Sequence, residues 1–243
     1  MYVQVAIPAY REFMDSRADR DIGDGRDLLR VVAVADALLN IPDYVMRESA
    51  QHASLSQYSG AREYRESFWT KCPSYELLCD VANAHKHRSL TRTGRRIAGI
   101  SEVQEYVEIC RYRDASGEYY RTSRSVMIRS LDGRLHDARR ELTAAMRLWA
   151  TELAQLDVAP PTPEANFEFD EHISRADPRH LEPLRLVGTV GEPLAVQHYI
   201  RDYSYPLKRL VEVAPGTDFR GKAYFVSDIR LSPFVVSQEA PPK

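Results

Sequence analysis

The chain has 243 residues, is 44% hydrophobic and 28% charged, and carries a net charge of −2. That is the composition of an ordinary globular protein, long enough for one large domain or two small ones. Three cysteines (Cys72, Cys79, Cys110) exclude a disulfide framework, and no apolar run approaches the roughly 20 residues that a membrane helix needs.

Residues 1–21 are expected to start as a short strand or extended segment and then turn helical, because Ile7, Tyr10, Phe13 and Met14 recur at helical spacing and Pro8 suits a first turn. Nothing basic precedes the first apolar residues, so they do not read as a signal peptide, and the cytoplasm is the expected location. Residues 21–25 are a break, with Asp24 placed to cap the next helix. That helix carries Leu28, Leu29, Val31, Val32, Ala35, Leu38 and Leu39, an apolar face wide enough to be mostly buried. Pro42 breaks or kinks it, with Tyr44, Val45 and Met46 placed to resume it. Residues 49–60 read as a loop and 61–71 as a helix anchored by Tyr64, Phe68 and Trp69. Pro73 opens a further helix, with Tyr75, Leu77, Leu78 and Val81 inward.

Residues 103–113 and 118–129 alternate with period two about a turn at 114–117, which predicts a β-hairpin. Arg121, Ser123, Ser125 and Arg129 fall on its expected wet face. Asp132 and Gly133 are expected to cap the longest helix, which ends near Leu156 and carries Leu135, Leu142, Trp149 and Leu156 at intervals of seven. Eleven of the fourteen prolines lie after residue 157. Residues 157–163 therefore read as a stiff linker. Short apolar runs at 167–169, 184–190, 194–203, 207–213 and 223–231 then read as β-rich. Tyr199, Tyr203, Tyr205 and Tyr224 among them are either core or a base-stacking platform. The fold class expected is α+β. A bundle of about four helices over 1–156 has a β-hairpin inserted at about 103–129, and a small β-rich domain follows over 164–243.

The densest chemistry is the run from Cys79 to Arg88. At about 100° per residue, Asp80, Asn83 and His87 fall within an arc of roughly 60°. Such groups are costly to bury unpaired, so they should meet one another, a neighbouring helix or a ligand. His85 and His87 point about 200° apart on a helix. No H-E-x-x-H or E-x-x-H spacing occurs, so neither a metal nor another cofactor is assigned. G-x-S-x-G and the Gly-rich nucleotide cradles are absent as well.

Charge is uneven. Between Lys86 and Arg140 there are thirteen Lys and Arg against seven Asp and Glu. Lys86, Arg88, Arg92, Arg95 and Arg96 follow one another with no acid between them, which makes them the candidate phosphate-binding residues.

The segment from Cys72 to His87, with its Asp80-x-Ala82-Asn83-x-x-Lys86-His87 pattern, resembles a helix end found in uncharacterised bacterial helical-bundle proteins. More loosely, it is similar to the HEPN superfamily, four-helix bundles that include metal-independent ribonucleases of toxin–antitoxin and phage-defence systems. That family's motif is an Arg and a His separated by four to six residues. Before His87 those positions hold Asp80, Val81 and Ala82, so the motif is not matched there. Arg129 and His136 have the spacing, a coincidence expected among 28 arginines and seven histidines.

Two functions follow. The first is an intracellular interaction or regulatory module whose polar helix cluster is structural. The alternative, implied by the resemblance, is a HEPN-like metal-independent endoribonuclease or defence protein. In that case His87 would be general base or acid, Asp80 or Asn83 would orient its ring, and Lys86, Arg88 or Arg92 would neutralise phosphate. The partners expected are RNA, and a protein or second copy meeting the long helix; a membrane is not among them.

Overall fold

The chain begins helical, not extended: a π-helical turn at Tyr2–Ala6 runs directly into α1 (Ile7–Asp15). Tyr2, Ala6, Ile7, Tyr10 and Phe13 lie buried along one face, and that continuous stripe is what a 3.6-residue period can bury and a strand cannot. The computed structural model describes residues 1–16, 21–48, 52–87, 90, 93–115, 117–158, 185–186, 197–207 and 209–213.

After β1 (Asp21–Ile22), the Asp24 carboxylate accepts the Arg26 amide at 3.0 Å and starts α2 (Arg26–Glu48). Pro42 lies inside α2 and does not end it. Proline cannot donate to the carbonyl four residues back, so Leu38 loses its helical partner. The Tyr75 hydroxyl donates to that Leu38 carbonyl at 3.3 Å and restores the bond from a neighbouring helix. Then come α3 (Ala61–Glu66), α4 (Pro73–Lys86) and α5 (Ala138–Gln155). The helices share one apolar core, at whose centre Tyr64, Phe68 and Tyr75 surround the fully buried Trp149. Ring centroids there are 5.2–6.1 Å from Trp149, all tilted or edge-on.

Two details differ from expectation. Among the described residues the longest helix is α2, with 23 residues, against 18 in α5. And α5 is capped by Asp137, whose carboxylate accepts the Arg139 amide at 2.9 Å, not by Asp132 and Gly133. Residues between them are taken up by a short edge strand, β4 (Leu135–Asp137).

The alternating segments form β2 (Val103–Asp114) and β3 (Gly117–Arg129), paired antiparallel along their length. They are not a hairpin inserted into a four-helix bundle. They are the centre of a five-stranded sheet, order β4-β3-β2-β6-β7, that curls into a half-barrel. Val103, Val126 and Ile128 complete the helical core from the sheet side. β6 (Gln197–Ser204) runs parallel to β2, and β7 (Arg209–Glu212) runs antiparallel to β6. A separate two-stranded pairing joins β5 (Arg185–Leu186) to β1.

From residue 159 the expected linker lies outside the described residues, as do the runs at 167–169 and 223–231. Of the strands described beyond it, β6 and β7 extend the hairpin's own sheet and β5 does not. No described helix is long and apolar enough to cross a membrane.

Side chains alternate along β2. Val103, Glu105 and Val107 face the helices. Tyr106, Glu108, Cys110 and Tyr112 face the other side, together with Ser123 and Ser125 of β3 and Arg201 and Tyr203 of β6, by register. Arg201 reaches Asp137 of β4 across the two intervening strands, so this second face is the concave one. The expected wet face of the hairpin is thus an interior: Ser123 and Ser125 are buried and Arg129 is half-buried. The Arg121 side chain lies outside the described set.

Candidate functional site

Helix α4 closes at Lys86, and the residues expected to share its edge part company there. Asp80 is buried, and its Oδ2 accepts the Arg96 amide at 2.5 Å. The Arg96 carbonyl in turn accepts the Leu131 amide at 2.8 Å. Asp80 therefore ties α4, through one residue of loop, to the turn between β3 and β4. Asn83 is half-buried and lines a cavity of about 300 Å³ with Arg62, Arg65, Glu66, Trp69, Cys79 and Asp80.

His87 donates its amide to the Asn83 carbonyl at 2.9 Å and then leaves the helix, with φ −125° and ψ 136°. An angular projection that assumes helix cannot place its ring. His85, Lys86 and His87 are all exposed. The structure brings Asp80 and Asn83 to one cavity and leaves His87 outside it.

Three members of the basic run meet acceptors of the chain itself. Lys86 pairs with Asp36. Arg95 Nη1 donates to the Leu90 carbonyl at 2.5 Å, and Arg96 Nη1 lies 3.6 Å from Glu76. Arg88 and Arg92 lie outside the described residues.

A second polar constellation, on the sheet, was not anticipated. On the concave face Arg201 pairs with Glu108 and lies 3.3 Å from Asp137, while Ser123 donates to Glu108 at 3.1 Å. On the helical face Arg124 pairs with Asp27, which also receives Arg30 at 3.1 Å. Arg124, Asp27, Glu108 and Arg201 are each under 5% exposed. Charges so buried persist only when paired and hydrogen-bonded. Glu105 accepts the amides of Gly23 at 2.8 Å and Asp27 at 3.3 Å, capping the start of α2 from the sheet. Burial pushes its carboxyl above the usual carboxylate range, with the Gly23 amide opposing the shift.

Beside the concave cluster, the curl brings residues 129–136 at one end of the sheet against β6 and β7 at the other. Two adjoining cavities, about 780 Å³ and 350 Å³, share Leu135, Tyr199 and Glu212. Their walls hold Arg129, Arg134, Arg140, Arg201 and Arg209 against Asp132, Asp137 and Glu212, an excess of two positive charges. Arg129 and His136, whose spacing looked accidental, both line the larger one. The His136 ring lies between Ser130 Oγ at 3.1 Å and Glu141 at 3.2 Å. Tyr199 donates to Glu212 at 2.6 Å, and burial together with this bond raises its phenol's pKa, so the ring stays neutral.

The sequence held one signal for this region. Glu108, Ser123, Ser125 and Arg129 fall on one face of the hairpin and Glu105, Arg111 and Arg124 on the other, so neither face is simply apolar. Among the described residues no three His, Cys, Asp or Glu side chains are grouped as metal ligands. No protein-family model, curated protein or solved structure matches the chain.

Proposed function

We propose that this chain is an interaction or regulatory module in which the polar end of α4 is structural and recognition falls to the groove on the concave side of the sheet. The observation that carries the reading is the Asp80 carboxylate on the Arg96 amide. A buried acid spent on a backbone donor is a fastener for the loop, not a group free to orient an imidazole. Five guanidinium groups line the groove with Asp132, Asp137, Glu212 and the Tyr199 ring, and among the described residues Arg129 there meets a phenol, Tyr106, in place of a carboxylate.

The second reading, a HEPN-like endoribonuclease acting through His87, draws support from the exposure of that imidazole beside Lys86. One experiment separates the two: RNA cleavage and urea unfolding, measured for wild type, His87→Ala and Asp80→Ala. The module reading expects no cleavage above background by any of them. It also expects a loss of about 1–3 kcal/mol of stability in Asp80→Ala, from the Arg96 amide left unsatisfied, and none in His87→Ala. Cleavage by wild type that His87→Ala abolishes would replace this reading with the ribonuclease.

A further inference from the structure

We propose that the groove between the β3–β4 turn and strands β6 and β7 binds a nucleoside monophosphate, with Arg129 and Arg134 on the phosphate and Tyr199 and Glu212 on the nucleoside. The inference rests on the module reading above and names the ligand class of its groove.

Arg129 is the starting point. The residue is half-buried, and the partner its guanidinium meets is the Tyr106 hydroxyl, at 3.2 Å. Arg124 and Arg201 differ: each is matched to a buried carboxylate. A partly desolvated guanidinium beside a phenol keeps its field for an incoming anion, and its fork of N–H donors fits phosphate oxygens. Arg134 lines the same cavity, 80% exposed and 3.5 Å from Asp132. An exposed pair of that length is weak in water and yields readily to a doubly charged ligand. Two arginines suit a phosphomonoester, which carries about −1.5 to −2 near neutrality, better than a singly charged carboxylate.

The rest of the wall excludes bare phosphate as the preferred occupant. Glu212 and Asp132 would repel it and call instead for hydroxyl or amino donors on the same ligand. Glu212 already accepts from Tyr199 but has further acceptor capacity. The half-buried Tyr199 ring, shared by both cavities, has the Arg201 guanidinium 5.6 Å from its centroid over one face, and a base would stack on the other. Leu135 supplies an apolar contact, and about 780 Å³ is ample for a mononucleotide.

Isothermal titration of the full chain tests this, with the four ribonucleoside 5′-monophosphates, the four matching nucleosides and inorganic phosphate as probes. At least one monophosphate is expected to bind on the order of tenfold more tightly than its nucleoside or inorganic phosphate. Arg129→Gln should remove that advantage, on the order of tenfold, and leave nucleoside binding unchanged, as expected for one charge-assisted contact. Arg134→Gln, at an exposed position that cannot disturb folding, should weaken the monophosphate about threefold, as an exposed ionic contact does. The proposal is overturned if no monophosphate binds, if inorganic phosphate binds equally well, or if folded Arg129→Gln binds like wild type. If Arg129→Gln fails to fold, unchanged affinity in Arg134→Gln overturns it instead. Loss of RNA cleavage in His87→Ala would strike the module reading, not the nucleotide result.

Discussion

The two halves of this molecule bury different things. Around Trp149 the chain packs Tyr64 and Tyr75 edge-on and Phe68 tilted, in a core of aromatic and aliphatic side chains. The sheet buries charge on both faces: Arg124 with Asp27 toward the helices, Arg201 with Glu108 and Asp137 toward the concave side. An apolar core gains from every contact it makes. A buried ion pair recovers a desolvation cost only when its geometry is kept, so its contribution is to specificity more than to net stability. The helical half therefore reads as the part that holds the fold, and the sheet as the part that holds a defined polar surface in place.

Truncation at the centre of the helical core should cost most. Trp149→Ala is expected to lose about 3–5 kcal/mol in urea unfolding, through lost burial and a cavity no neighbour can fill. Breaking the buried pair should approach that loss and then behave differently. Arg124→Met leaves Asp27 with the more exposed Arg30 as its counter-ion, at a cost of about 3 kcal/mol. Adding Asp27→Leu should recover most of it, because the pair as a whole is close to neutral against an apolar replacement. If the double variant is no more stable than the single one, the contrast between the two halves fails.

The smallest effect concerns Glu105. Its folded carboxyl titrates above its ordinary range because burial disfavours the charged form. Its contribution to stability is therefore full below the ordinary carboxylate pKa and is lost as pH rises through the raised folded value. Glu105→Gln, which cannot ionise, should gain on wild type as the pH is taken from about 4 to 7, by thermal unfolding at each pH. A difference that is flat with pH, or that moves against the variant, would mean that the Gly23 and Asp27 amides outweigh burial.

Much of the helical half was legible because it obeys one local rule. Tyr10 and Phe13, Leu38, and the Leu142–Trp149 spacing all repeat with the helix, and all are buried. The hairpin was legible for the same reason at period two. The candidate site was legible only in part. Asp80 and Asn83 do meet one cavity, but His87 does not, because the helix assumed in projecting it ends one residue earlier. Polarity on a strand face normally means solvent, and that rule places Ser123, Ser125 and Arg129 in water. Here β6 lies parallel on β2 and brings Arg201 over that face. Parallel pairing between segments some ninety residues apart leaves no local trace in the pattern.

What the amino-acid order determined by itself is therefore local: the helices, the hairpin, the cap at Asp24 and the composition of the apolar core. Each follows from side-chain periodicity and from capping chemistry acting within a few residues. Tertiary structure alone decided that the hairpin is the middle of a curled sheet, that Pro42 can sit inside α2 because Tyr75 takes over the Leu38 carbonyl, and that Arg129 and Glu212 face one groove. Those relations depend on which distant groups can satisfy a freed carbonyl or a buried charge, and that is settled only when the elements pack.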